Sequence, residues 1–62
     1  MSKYVVLTEK DQTIRGDLNN FDGVEMIGSG SDFYIWSWTN PYPTDLSTIE
    51  GNAAYIGTVE IS

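Results

Sequence analysis

Hydrophobic residues along the chain fall into short runs separated by glycine and other turn-forming residues, a spacing typical of small β proteins. The runs are rich in β-branched and aromatic side chains, and no window of 11 residues keeps a helical period. We therefore predict an all-β fold: a small antiparallel sheet of four to five strands, curled or barrel-like. The predicted strands cover residues 3–8, 12–16, 24–28, 32–39 and 53–61.

Turn chemistry predicts the connections between these strands. Residues 9–11 are expected to form the turn of a hairpin between the first two strands, and residues 16–23, rich in Asp, Asn and Gly, a loop. Residues 40–43 contain two prolines and must leave the sheet, because proline has no amide donor. Residues 45–50 form either one short helical turn or an irregular segment.

Length and residue types limit the chemistry of the protein. Residues 1–62 are predicted to form a single domain, because about 60 residues bury only ~60% of their unfolded surface even as one core. The sequence contains no cysteine and no histidine, which excludes disulfides, Cys/His zinc sites and Ser-His-Asp triads. Residues 17–23 are oxygen-rich, but Phe21 stands at a ligand position of an EF-hand, so we expect no metal and no cofactor.

The N-terminal apolar run, residues 4–7, is too short for a signal peptide or a membrane span. We therefore expect a cytoplasmic protein, in the cytosol of the host if its source is a virus.

Charge is distributed unevenly along the chain. The net charge is −6, yet all three cations fall in residues 1–15, whereas residues 16–62 hold seven carboxylate side chains and no cation. Direct binding of nucleic acid is therefore not expected, because phosphate contacts need Lys and Arg. A negative surface either keeps a small protein soluble or steers it toward a basic protein surface, and both interpretations stay open.

The segment 33–38 is apolar on both faces of its predicted strand. Alternation places Tyr34, Trp36 and Trp38 on one face and Phe33 and Ile35 on the other. In one interpretation the tryptophan face is the core, and the loop of residues 16–23 covers the other face. In the second, the tryptophan face is an exposed platform for a partner, because Trp and Tyr are enriched in interface hot spots.

These features favour a non-enzymatic, acidic protein-binding module, an inhibitor or modulator of the kind that viruses and mobile elements encode. It would dock an aromatic and negatively charged face on a basic surface of a larger protein. Catalysis is not expected, because a chain of this size rarely forms the cleft that carboxylate chemistry needs. The expected binding residues are Tyr34, Trp36, Trp38, Tyr42, Asp22, Glu25 and Asp32.

Two alternatives belong to other classes of function. The first is a structural subunit, for example of a virus particle, that joins its neighbours by strand-edge and aromatic contacts. The second is an aromatic platform for a sugar or a nucleobase. The small core also predicts self-association, as a homodimer through residues 32–39 or 52–61.

Overall fold

A four-stranded antiparallel sheet with two helices makes up the computed structural model, which describes residues 3–61. The elements are β1 (Tyr4–Glu9), α1 (Gln12–Asn19), β2 (Val24–Ser29), β3 (Phe33–Trp38), α2 (Pro43–Glu50) and β4 (Tyr55–Glu60). The strand order in the sheet is β2-β3-β1-β4. Because each helix links two strands that lie on either side of a third, the connectivity is that of the split βαβ, or ferredoxin-like, topology.

One face of this sheet carries the core. In the register of the sheet, Trp36 pairs with Val6 on one side and Met26 on the other, so their side chains share a face. Both helices pack on this face, where Ile14 and Leu18 of α1 are fully buried. Ile49 of α2 is also buried in this cluster. We call this side of the sheet the covered face.

The predicted strand at residues 12–16, and with it the predicted hairpin, is wrong, because α1 begins there. Asp11 caps the helix: its Oδ1 accepts hydrogen bonds from the backbone amides of Thr13 at 2.7 Å and Ile14 at 3.2 Å. Ile14 and Leu18 are four residues apart, so a helix brings both to the core. Residues 16–19, expected in a loop, continue this helix.

The helical alternative for residues 45–50 is confirmed, and the helix is longer than one turn. It begins at Pro43, whose fixed φ suits the first helical position, and ends before Gly51. With two helices of eight residues each, the all-β class is too narrow a description. The small curled antiparallel sheet is confirmed, with four strands close to the other predicted ranges.

Gly23 shapes the turn into β2. The φ of Gly23 is +73°, a conformation that residues with L side chains rarely adopt. The Gly23 carbonyl accepts two hydrogen bonds from Thr39, one from its backbone amide at 2.7 Å and one from its side-chain hydroxyl at 3.0 Å. An added Cβ would lie 3.0 Å from the Thr39 carbonyl carbon. This contact joins the start of β2 to the end of β3.

Candidate functional site

The aromatic row of β3 lies in the core. Tyr34, Trp36 and Trp38 are 5%, 0% and 1% exposed. The buried indole N–H of Trp36 donates to the hydroxyl of Thr8 at 3.0 Å, which satisfies both polar groups. The first interpretation of this strand therefore holds for the tryptophan face, and these side chains do not form an exposed platform.

Two cations lie near Tyr34. The Nζ of Lys10 is 6.0 Å and the Cζ of Arg15 5.7 Å from the centre of its ring. Lys10 also reaches the carbonyl of Gly30 at 3.4 Å. Two of the three cations therefore lie at the end of the sheet where β1 ends and β3 begins, together with the carboxylates of Glu9 and Asp32.

The opposite side of the sheet, which we call the open face, carries mostly apolar side chains, and within residues 3–61 neither helix packs on it. Its members follow from the register, in which Val5 pairs with Val59 and Leu7 with Ile35. Val59 is 65% exposed and Phe33 37% exposed. The expectation that residues 16–23 cover Phe33 and Ile35 is wrong, because Leu18 and Phe21 belong to the cluster on the covered face.

The predicted acidic site residues are exposed but do not form one cluster. Asp22 precedes β2 and Asp32 follows it, so a six-residue strand of about 20 Å separates them. Glu25 lies between, on the open face, since it pairs with Ser37. Glu9, which is not among the predicted site residues, pairs with Phe33 on the same face.

A groove of about 460 Å³ lies on the helix side of the sheet, between the start of β1, the segment after β3 and α2. It was not predicted, because its walls come from three separate parts of the chain. The side chain of Asn40 shapes the connecting segment: its Oδ1 accepts from the amide of Tyr42 at 2.6 Å, and its Nδ2 donates to Asp45 at 2.9 Å. Tyr42 is 59% exposed beside the groove. The groove is lined by Tyr4, Trp38, Asn40, Pro41, Pro43, Leu46, Ser47 and Glu50.

Comparison of the chain with protein-family models, curated proteins and solved structures found no match. Within residues 3–61, no three His, Cys, Asp or Glu side chains come together in a way that could hold a metal ion. Neither helix of this part of the chain is long and apolar enough to cross a membrane. The candidate sites are thus the open face and the groove, which lie on opposite sides of the sheet.

Proposed function

We propose that this protein is a non-enzymatic binding module that inhibits or modulates a larger protein by docking its open face on that partner. The observation that carries the proposal is the uncovered apolar sheet face described above. The residues that would contact the partner are Val5, Leu7, Ile35 and Val59, with Phe33 at one end of the face. They take the place of the tryptophan-face residues that the sequence predicted for this contact.

The size of the open face sets the kind of complex. Four strands of six residues give a face about 20 Å on a side, at ~4.8 Å between strands and ~3.3 Å per residue. Such a footprint is smaller than the ~800 Å² that each partner contributes to a standard interface. We therefore propose a transient complex in which contacts at the rim add to those of the face.

Charge supports a basic partner in preference to a second copy of the chain. Glu9 and Glu25 lie on the open face, and the chain as a whole carries −6. Two copies face to face would repel each other, whereas Lys and Arg around an apolar patch would attract this surface and speed association. The partner that fits is a protein with such a patch.

The edge strands support face docking over strand addition. The pairing of β2 with β3 and that of β4 with β1 each contain a register shift, at Ile27 and Ile56 respectively. Bulges interrupt the row of free backbone groups that an added strand would need.

A stacking role for Trp36 and Trp38 has no support, because their rings are buried.

A capture experiment with matched variants tests the proposal. Three forms of the protein are used in turn to capture partners from extracts of the cells in which the protein is made. They are wild type, Val59→Asp and Gln12→Glu. Val59→Asp places a charge on the open face, and Gln12→Glu adds the same charge to an exposed position of α1. We expect wild type and Gln12→Glu to capture a protein that Val59→Asp does not capture.

The purified complex is then measured at low and high salt. Its association rate should fall with ionic strength if the partner is basic. Equal retention by Val59→Asp, or an association rate that does not depend on salt, would contradict the proposal. Sedimentation that shows a dimer becoming stronger with salt would assign the open face to a second copy instead.

A further inference from the structure

The groove on the helix side has a chemical character that the open face lacks. Among the described residues, eight line the groove; of these Glu50 alone is charged, and Leu46 and two prolines supply apolar parts of the walls. Tyr4 is half-buried and Trp38 is 1% exposed, and both line the groove. Its volume of about 460 Å³ lies within the range of small-ligand clefts, ~300–1,000 Å³.

Further negative charge surrounds this groove. Asp45 is hydrogen-bonded to the lining residue Asn40, and Glu60 pairs with Tyr4 across the sheet. Lys10 and Arg15 lie at the other end of the sheet, near Tyr34. Lys3 already has an interaction partner, and its carbonyl accepts from the amide of Ile61.

We propose that this groove is a binding site for an arginine side chain of a protein or peptide partner. The methylene stem would contact Leu46 and the prolines, the planar guanidinium would stack on Tyr4, and Glu50 would pair with its charge. Arginine fits better than a compact cation, because Leu46 and the prolines can contact its stem and, among the described lining residues, a carboxylate stands at one position. The site is independent of the open face.

The test compares two probes that differ in charge. N-acetyl-arginine amide and N-acetyl-citrulline amide have the same shape, but the urea group of citrulline is neutral. Each is titrated at 0.15 M salt into ¹⁵N-labelled protein, with the Trp38 indole and the amides of residues 40–50 as reporters. We expect arginine to bind about two- to fivefold more tightly than citrulline, the range for one solvated ion pair, with shifts confined to these reporters and Tyr4.

Three variants separate a built site from general attraction to an acidic protein. Glu50→Gln should reduce the affinity for arginine to that for citrulline, whereas Glu25→Gln, which removes the same charge from the open face, should leave both affinities unchanged. Ser47→Phe, at an exposed position of the lining, should fill the groove and weaken both probes. Val59→Asp, which should disrupt the open face, should not reduce arginine binding. A failure of the arginine site can therefore be distinguished from a failure of the proposed function.

Two results would overturn the inference. The first is equal binding of both probes to the wild type, or no binding of either. The second is an equal loss in Glu50→Gln and Glu25→Gln, which would show that net charge alone attracts arginine. The comparison of probes on the wild type needs no variant and so does not depend on how a variant folds.

Discussion

Both faces of the sheet are apolar, yet only one is covered by helices. On the covered face, β3 contributes Tyr34, Trp36 and Trp38, and the rings of Phe21 and Trp38 make an edge-type contact with their centres 5.6 Å apart. On the open face, the same strand contributes Phe33 and Ile35. The larger side chains are the ones the helices bury.

The difference shows how a chain of this size uses its helices. Each buried aromatic side chain removes about 150–250 Å² from water, more than a valine or isoleucine does, so covering the tryptophan face gains more. An indole N–H also needs a buried partner, and Thr8 supplies one on the covered face. The open face has smaller side chains that tolerate partial exposure and remain available for contact.

The largest expected effect comes from truncating the covered face. Trp36→Ala should lower the free energy of unfolding by about 3–5 kcal/mol, since it leaves a cavity at a fully buried site. A chain of this size has roughly 3–9 kcal/mol in total, so the variant should lose a large part of its stability. Urea denaturation measures the effect. Ile35→Ala, one residue away on the open face, is the control and should lose less than half as much; equal losses would contradict the comparison.

A smaller loss is expected from the buried polar pair. Thr8→Val keeps the shape of the side chain but leaves the Trp36 indole N–H without a partner, so we expect a loss of about 1–3 kcal/mol. Thr8→Ser keeps the hydroxyl, so the indole N–H resonance of Trp36 in this variant should stay near its wild-type position in an NMR spectrum. If Thr8→Val were as stable as wild type, the hydrogen bond would contribute nothing to the covered face.

The start of α1 is the next test, because this helix holds Ile14 and Leu18 against the covered face. Asp11→Ala removes the acceptor for two amides and should cost about 1 kcal/mol in urea denaturation. Asp11→Asn should retain most of the stability, since Asn is an equally good cap. A larger loss in the Asn variant than in the Ala variant would show that the carboxylate has another role.

The smallest effect is expected on the open face. Val59→Thr conserves shape at a position that is 65% exposed, so the free energy of unfolding should change by no more than about 0.5 kcal/mol. The same variant should weaken partner binding if the open face is the contact surface. A loss of stability comparable to that of Thr8→Val would mean that Val59 belongs to the core.

Local sequence patterns predicted much of the sheet. Residues 24–28 and 32–39 carry β-branched or aromatic runs bounded by turn residues, and strands form there at Val24–Ser29 and Phe33–Trp38. Pro43 likewise predicted the departure from the sheet and suited the start of a helix. These features depend on neighbours in the chain, so the sequence contains enough information to predict them.

Helix α1 escaped prediction because its signals are weak on their own. It has eight residues, contains Gly16 and depends on two buried side chains, Ile14 and Leu18, for its stability. Two sequence signals could have identified it: Asp11 before this segment, since Asp is a preferred N-cap, and the four-residue spacing of Ile14 and Leu18. An isolated peptide of this length would not hold a helix in water.

The sequence by itself determined that the chain is short and acidic, that it has no cysteine or histidine, and that β3 has two apolar faces. Only the tertiary structure decided which face the helices cover, and therefore that Trp36 and Trp38 are core residues while Val59 is exposed. The groove with Tyr4 and Glu50 likewise arises only when distant segments meet. The physical reason is that alternation along a strand assigns residues to two faces, but burial depends on which face packs against the helices.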